Sequence, residues 1–259
     1  MIIRLSLILL GLFYLTTAQA ETSKGLTVGE AFSLDTQELL YRETHCQSDD
    51  QLNRKVLYKN PDGESIALKS IDYRNGLATP SFKQKHFQTG EETEVVVNGN
   101  QVTLSFTDSE SQQKKKSFEK HTYSDLPLVI DAGFDAYIRE QWDKLVSGED
   151  QRFQFPLVTR SALIELKVSS AECSFEADNT QCFRLEMSNW LYRMLADPIE
   201  LGYSQDQKRL LRYRGLSNIE DANGNGLNVD IRYDYSNLPQ QACTDDKALV
   251  LKSETTDHG

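Results

Sequence analysis

The strongest constraint on the fold of this chain is the alternation of apolar and polar residues along many short segments. The clearest segment spans residues 227–235, where an apolar or aromatic residue occupies every second position. Segments 102–106, 153–157, 162–168 and 183–187 repeat the pattern. A period of two places successive side chains on opposite faces of an extended chain, so each segment predicts a half-buried β-strand.

Turn motifs between strand-like segments indicate that neighbouring strands run antiparallel. Asn98-Gly99 lies between two apolar runs and is a strong signal for a two-residue hairpin loop. Residues 60–63, Asn-Pro-Asp-Gly, fit a tight turn in which proline fixes φ and glycine accepts a positive φ. Such short connections favour antiparallel pairing, because parallel strands need long crossovers. The less regular strand-like segments are 39–46, 53–59, 64–73 and 81–88.

Residues 131–147 predict one α-helix. Asp131 is expected to cap its first turn and Gly148 to end it. Residues 188–195 fit either a second short helix or a continuing strand. The apolar face of the predicted 131–147 helix is formed by Phe134, Ile138, Trp142 and Leu145, which recur at helical spacing.

We therefore predict a mainly β protein built from one large, curled antiparallel sheet. The strands carry charges on one face, so the other face must be covered. A helix of about four turns is too short to cover ten or more strands. The sheet is thus expected to curl into a barrel or half-barrel with the helix covering it. The predicted domain spans residues 34–245, with loose ends at 21–33 and a flexible tail at 246–259.

The first twenty residues have the pattern of a cleavable signal peptide. A positive start, Met1–Arg4, precedes the apolar run Leu5–Leu15, and Ala-Gln-Ala ends the segment at Ala20. The apolar run is too short for a spanning helix, and no later segment approaches that length. Because Glu21 follows the expected cut, we expect no lipid attachment there. The sequence thus predicts a soluble protein of the periplasm.

Four cysteines indicate disulfide bonds, because an even number in an exported chain favours pairing. Three pairings are possible. We favour Cys173–Cys182 as a local bridge and Cys46–Cys243 as a bridge between the two ends of the fold. A zinc site is the alternative, but the cysteines lack C-x-x-C spacing.

The charge balance argues against nucleic acid as a partner. The chain carries a net charge of -11, whereas phosphate binding needs clustered positive charge. Arg212 and Arg214 are expected to pair with Asp230 and Asp234 on the next strand. The concentrated basic residues are Lys208, Arg209, Arg212 and Arg214.

Motifs for metal binding or catalysis are incomplete. Residues 221–226 resemble the start of a calcium loop, but Arg232 stands where the motif needs a glutamate, so a glycine-rich hairpin turn is favoured. His45, His86 and His121 lack metal-site spacing. The sequence contains no G-x-S-x-G nucleophile motif and no glycine-rich phosphate loop. We therefore expect no cofactor and a role other than catalysis.

The stretches Pro127–Leu145 and Pro198–Tyr235 are similar to uncharacterised exported proteins of Gram-negative bacteria. The expected architecture also resembles the half-barrel periplasmic lipoprotein carriers, which have a helical lid. Neither resemblance assigns a role to a particular residue.

Our leading hypothesis from the sequence is an exported binding or carrier protein that holds an apolar or lipid-like ligand inside the curled sheet. The first alternative is an envelope scaffold or interaction protein with a fully packed barrel. The second is a hydrolase acting on envelope material. The residues predicted to contact the ligand are Phe134, Ile138, Trp142, Ile164, Leu166, Val229 and Ile231.

Overall fold

The computed structural model describes residues 27–48, 50–120, 124–175, 178–189 and 197–235. Within them, fourteen strands form one antiparallel sheet in the order β8-β7-β6-β5-β4-β3-β2-β1-β14-β13-β12-β11-β10-β9. This confirms the predicted large antiparallel sheet. The strands are β1 Thr27–Ser33, β2 Leu39–Gln47, β3 Asn53–Lys59, β4 Ser65–Asp72, β5 Ser81–His86, β6 Glu92–Asn98, β7 Gln101–Thr107, β8 Gln113–Glu119, β9 Gln151–Leu157, β10 Ala162–Ala171, β11 Thr180–Met187, β12 Ile199–Ser204, β13 Leu210–Glu220 and β14 Gly226–Asp234.

Strand β1 joins the two halves of the sheet, because it pairs with β2 on one side and β14 on the other. The prediction of a loose end at 21–33 is therefore wrong for residues 27–33. The segment lacks the regular apolar alternation of clearly patterned strands such as β14. Its backbone is ordered by the two strands beside it, which the local sequence cannot reveal.

The sheet curls, because strands far apart in its order contact each other. The side-chain amide of Gln84 on β5 donates to the backbone carbonyl of Asn218 on β13 at 2.8 Å, although five strands separate β5 from β13. The hydroxyls of Tyr41 on β2 and Ser217 on β13 lie 2.8 Å apart. Among the described residues, the edge strands β8 and β9 do not pair with each other. The result is an open, curled sheet, which we call the half-barrel.

Two short helices, α1 Gly133–Glu140 and α2 Trp142–Val146, occupy the predicted helical region. The helix therefore forms, but it is interrupted at Gln141. The predicted capping role of Asp131 is wrong: Ala132 is the N-cap, and Asp131 has a left-handed backbone with a φ of 43°.

The apolar interior consists of two large clusters, and a third, small cluster contains Leu57 and Leu68. One large cluster lies inside β1–β8 with parts of β13 and β14, and the other lies between the helices and β9–β13. In the second cluster, the Trp142 ring contacts the Phe183 ring edge-on, with their centroids 5.2 Å apart, and the Tyr203 ring at 5.9 Å. The helices thus cover the C-terminal half of the sheet, while the N-terminal half is filled mainly by its own side chains, with Leu128, Ile130 and Val158 added from outside the strands.

The local disulfide Cys173–Cys182 is confirmed. Cys46 is also disulfide-bonded, whereas its predicted partner Cys243 lies outside the described residues. Ser188 and Asn189 are not helical. Residues 190–195 of the 188–195 segment lie outside the described residues. The predicted signal peptide and the predicted tail lie outside them as well. In the described ranges, neither helix has the length and apolar character needed to cross a bilayer.

Candidate functional site: a polar cleft at one end of the half-barrel

The seven residues predicted to contact a ligand are divided between the two large apolar clusters. Three lie in the cluster beneath the helices, two are partly buried against that cluster, and two belong to the other cluster. None of them lines the cleft described below. Their contact with a ligand stays a prediction. Ile138, Trp142 and Leu166 belong to the cluster between the helices and β9–β13, and Phe134 and Ile164 pack against that cluster. Val229 and Ile231 belong to the other cluster.

A cleft of about 170 Å³ opens at one end of the half-barrel, where strand ends and hairpin turns meet. We call it the polar cleft. Its walls come from β5–β7, from the end of β13 and from residues 155–159, which end β9 and enter a 3-10 turn. Because these segments are distant in sequence, only the curl of the sheet brings them together. Its polar lining residues are Gln84, His86, Glu91, Thr93, Asp131, Thr159, Asn218 and Glu220.

A hydrogen-bonded trio forms the inner wall of the polar cleft. The Gln84 amide nitrogen lies 2.8 Å from Nε2 of His86, and the Asn218 amide donates to the Gln84 side-chain oxygen at 3.2 Å. Burial lowers the pKa of His86, and the positive charge of Lys69 lowers it further, against the opposing effect of Glu91. His86 is therefore neutral at pH 7 and accepts the hydrogen bond from Gln84 through Nε2.

Two glutamates face each other at the rim of the polar cleft. Burial, together with a hydrogen bond to Glu91 and the nearby charges of Glu91 and Asp221, raises the pKa of Glu220 to about 7. Two neighbouring carboxyl groups resist ionising together, so Glu220 is partly protonated near neutral pH. No described lysine or arginine forms a salt bridge with either glutamate.

The floor of the polar cleft contains a buried ion pair. Both carboxylate oxygens of Asp131 accept hydrogen bonds from Nζ of Lys69 at 2.8 Å. The Lys69 side chain is only 4% exposed and that of Asp131 18%. The pair therefore links β4 to the segment that leads into α1, and the negative charge of Asp131 is compensated within the protein.

Behind this floor, the interior holds a buried carboxylate on β2. Nε2 of His45 donates to Glu43 at 2.9 Å, and the Tyr233 hydroxyl is a second donor. Burial alone would raise the pKa of Glu43, but these hydrogen bonds and the charge of Lys69 outweigh it and hold the pKa below its usual value. Gly29 on β1 makes room, since a Cβ there would lie 2.8 Å from Cγ of Glu43.

Tyrosine hydroxyls surround this carboxylate and make the interior polar. Burial raises the pKa of each tyrosine hydroxyl, so all four hydroxyls remain protonated and can donate hydrogen bonds. A buried polar network of this kind requires partners for every group, so it favours one arrangement of the curled strands. The tyrosines are Tyr41, Tyr58, Tyr213 and Tyr233.

The predicted basic patch is largely neutralised on the outer face. Arg212 binds Asp230 through two hydrogen bonds of 2.6 and 2.5 Å, which confirms that pairing. Arg214 instead pairs with Glu200 at 3.5 Å, so its predicted pairing with Asp234 is wrong. Strand register explains the difference: Arg214 lies opposite Glu200 on β12 as well as opposite Asp230 on β14.

The glycine-rich 221–226 segment forms the β13–β14 turn, as favoured from the sequence. The Asp221 carboxylate accepts hydrogen bonds from the backbone N–H groups of Asn223 and Asn225. Within the described ranges, no three or more histidine, cysteine or acidic side chains are grouped to hold a metal ion.

Sequence reasoning missed the polar cleft, although β5 carried a signal. Phe82, Gln84 and His86 alternate with Lys83 and Lys85, so two polar side chains occupy inward positions of a strand. Polar residues at inward positions need partners, which makes them candidates for a site. The identity of those partners depended on contacts with β13 that no local pattern reveals.

No protein-family model matches the chain, and no curated protein matches it significantly. The chain is similar to a solved structure, the β-barrel-like protein of the domain of unknown function DUF1849 from Brucella abortus. The two share 6% identity with a TM-score of 0.40, over 82% of this chain and 95% of that chain. Export and the likeness to periplasmic lipoprotein carriers stay predictions.

Proposed function

We propose that the protein is an exported binding protein whose ligand is a small polar molecule held in the polar cleft. The single observation that carries this proposal is the convergence of buried polar groups on an opening of the interior. Gln84, His86 and Asn218 are held in place by hydrogen bonds to one another before any ligand arrives. Preorganised polar groups in a concave site are what specific small-molecule recognition requires.

The size of the polar cleft supports a small ligand rather than an acyl chain. Ligand sites for drug-sized molecules usually measure about 300–1,000 Å³, whereas the polar cleft measures about 170 Å³. Two of the residues predicted to contact an apolar ligand, Ile138 and Val229, are fully buried, whereas the polar groups of the cleft line an opening. A binding function is therefore still proposed, but its ligand occupies the polar cleft rather than the apolar interior.

A second candidate is the envelope scaffold with a filled interior. The close packing of Trp142, Phe183 and Tyr203 beneath the helices favours it, because that half of the sheet contains tightly packed rings. This candidate gives the polar cleft no role. The two proposals therefore differ in whether a small molecule occupies the cleft.

Native mass spectrometry of protein purified from its own compartment tests the proposal. Thr93 lines the polar cleft, so Thr93→Leu should fill part of it. Thr103→Leu is the matched control, because the Thr103 hydroxyl lies on the exposed side of β7 beside Ser117. We expect one small-molecule adduct on the wild type and on the control, and its loss from Thr93→Leu. Bare protein in all three samples would support the scaffold instead.

A further inference from the structure

We propose that the ligand of the polar cleft is a small organic cation carrying an alkylammonium group. This inference rests on the function proposed above and names the chemical class of the ligand. It follows from the lining of the cleft, where Glu91 and Glu220 lie together with three phenylalanine side chains.

The charges that face the polar cleft are negative and partly uncompensated. Asp131 is neutralised by Lys69 at 2.8 Å, and His86 is uncharged. Glu91 and Glu220 lack a described salt-bridge partner and are close enough to share a hydrogen bond. A cation placed beside the two carboxyl groups would offset their mutual repulsion once Glu220 ionises, so the site favours a positive ligand over a neutral or negative one.

The remaining lining favours an organic cation over a metal ion. Three phenylalanines, Phe82, Phe106 and Phe155, line the polar cleft beside the carboxyl groups. Aromatic faces attract ammonium groups, and their apolar surface suits attached methyl groups. The protein already uses this interaction at the floor, where Nζ of Lys69 lies 5.4 Å from the centroid of the Phe82 ring.

Binding should release the proton that Glu220 holds near neutral pH. The cation stabilises the ionised form of Glu220, so the carboxylic acid loses its proton to solvent as the cation enters. The charges that act on Glu220 are those of Glu91 and Asp221, and both are negative. The other titratable side chains that line the cleft are His86, which is uncharged, and Asp131, which is paired with Lys69. Because the pKa of Glu220 is about 7, affinity should rise about tenfold between pH 6 and pH 8.

Three probes with one shape and different charge test the class of ligand on the full-length protein. Choline is the cation, 3,3-dimethylbutan-1-ol is its neutral isostere, and 3,3-dimethylbutanoate is the anion. Binding is followed by NMR, using the Thr93 backbone amide and the Asn218 side-chain amide as reporters of the polar cleft. We expect choline to shift both signals with at least tenfold tighter binding than either of the other probes.

Paired substitutions separate the charge of the site from the charge of the protein. Glu91→Gln/Glu220→Gln should reduce choline binding at least tenfold and remove its pH dependence. Glu94→Gln/Glu110→Gln, which changes net charge equally outside the cleft, should leave it unchanged. Thermal unfolding of both variants checks that they fold.

The outcomes distinguish the two proposals. If the neutral or anionic probe shifts the reporters as strongly as choline, the binding function stands and the cationic class is overturned. Equal choline binding by the two double variants would also overturn it. If none of the three probes shifts either reporter, both the cationic class and the small-ligand function fail.

Discussion

Removing the charge of Asp131 should destabilise the protein by about 3 kcal/mol, because the substitution leaves a buried ammonium group without its partner. Breaking one side of a buried ion pair typically costs about 3–5 kcal/mol. The Lys69 side chain is only 4% exposed, so little water can replace the lost carboxylate. The nearby Glu43 carboxylate still attracts Lys69, which places our expectation at the lower end of the range.

Asp131→Asn is the suitable substitution because the backbone there has a φ of 43°. Asparagine tolerates this left-handed conformation as aspartate does, so the measured change reports the charge rather than backbone strain. Lys69→Met should cost less, about 1–2 kcal/mol, because the remaining carboxylate is 18% exposed and borders the polar cleft, where water can reach it.

Urea unfolding followed by tryptophan fluorescence measures these free energies. The double variant Lys69→Met/Asp131→Asn should be more stable than Asp131→Asn alone by at least about 1 kcal/mol, since it no longer contains an unpaired buried charge. An unfolding free energy for Asp131→Asn within about 0.5 kcal/mol of the wild type would refute the reasoning. Strictly additive single effects would refute it as well.

Three further substitutions test other parts of the fold. Burial of the 1%-exposed Asp230 would raise its pKa, but hydrogen bonds and charges from two arginines hold the pKa below its usual value. These interactions therefore stabilise the folded protein above about pH 4, and the stabilisation is lost as the pH falls through the lowered pKa. Asp230→Asn should flatten the loss of melting temperature between pH 5 and pH 3, and an unchanged slope would contradict this. Gly29→Ala should cost about 1–3 kcal/mol in urea unfolding, because its Cβ would lie 2.8 Å from Cγ of Glu43; a neutral effect would mean that the site relaxes. Replacing Cys173 and Cys182 by serine opens a loop with a sequence separation of 9 and should cost about 2.5 kcal/mol, whereas unchanged stability would show that the bridge does not constrain the unfolded chain.

Local sequence determined most strands and several turns. The Asn98-Gly99 hairpin and the Asn60–Gly63 turn form where they were predicted, because the residues inside each turn fix its backbone. Strand β14 follows the alternation of residues 227–235, since its inward side chains meet one continuous core. The local Cys173–Cys182 bridge also followed from sequence proximity.

Tertiary structure decided the features that depend on distant partners. Thr27–Ser33 became a strand only because β2 and β14 pair with it on both sides. Arg214 binds Glu200 rather than Asp234, because the sheet register places Glu200 beside it. The seven residues predicted to contact a ligand belong to two apolar clusters or pack against one of them, and the alternation that places a residue inward does not say which cluster it joins.

The curl of the sheet could be predicted from the sequence, but the contacts that the curl creates between distant strands could not. The alternation of apolar and polar residues required the sheet to cover its own dry face, and the antiparallel half-barrel satisfies that requirement. The same alternation could not specify which strands would meet across the interior. The polar cleft, where Gln84 on β5 meets Asn218 on β13, exists because side chains far apart in the chain find hydrogen-bond partners only after the sheet has curled.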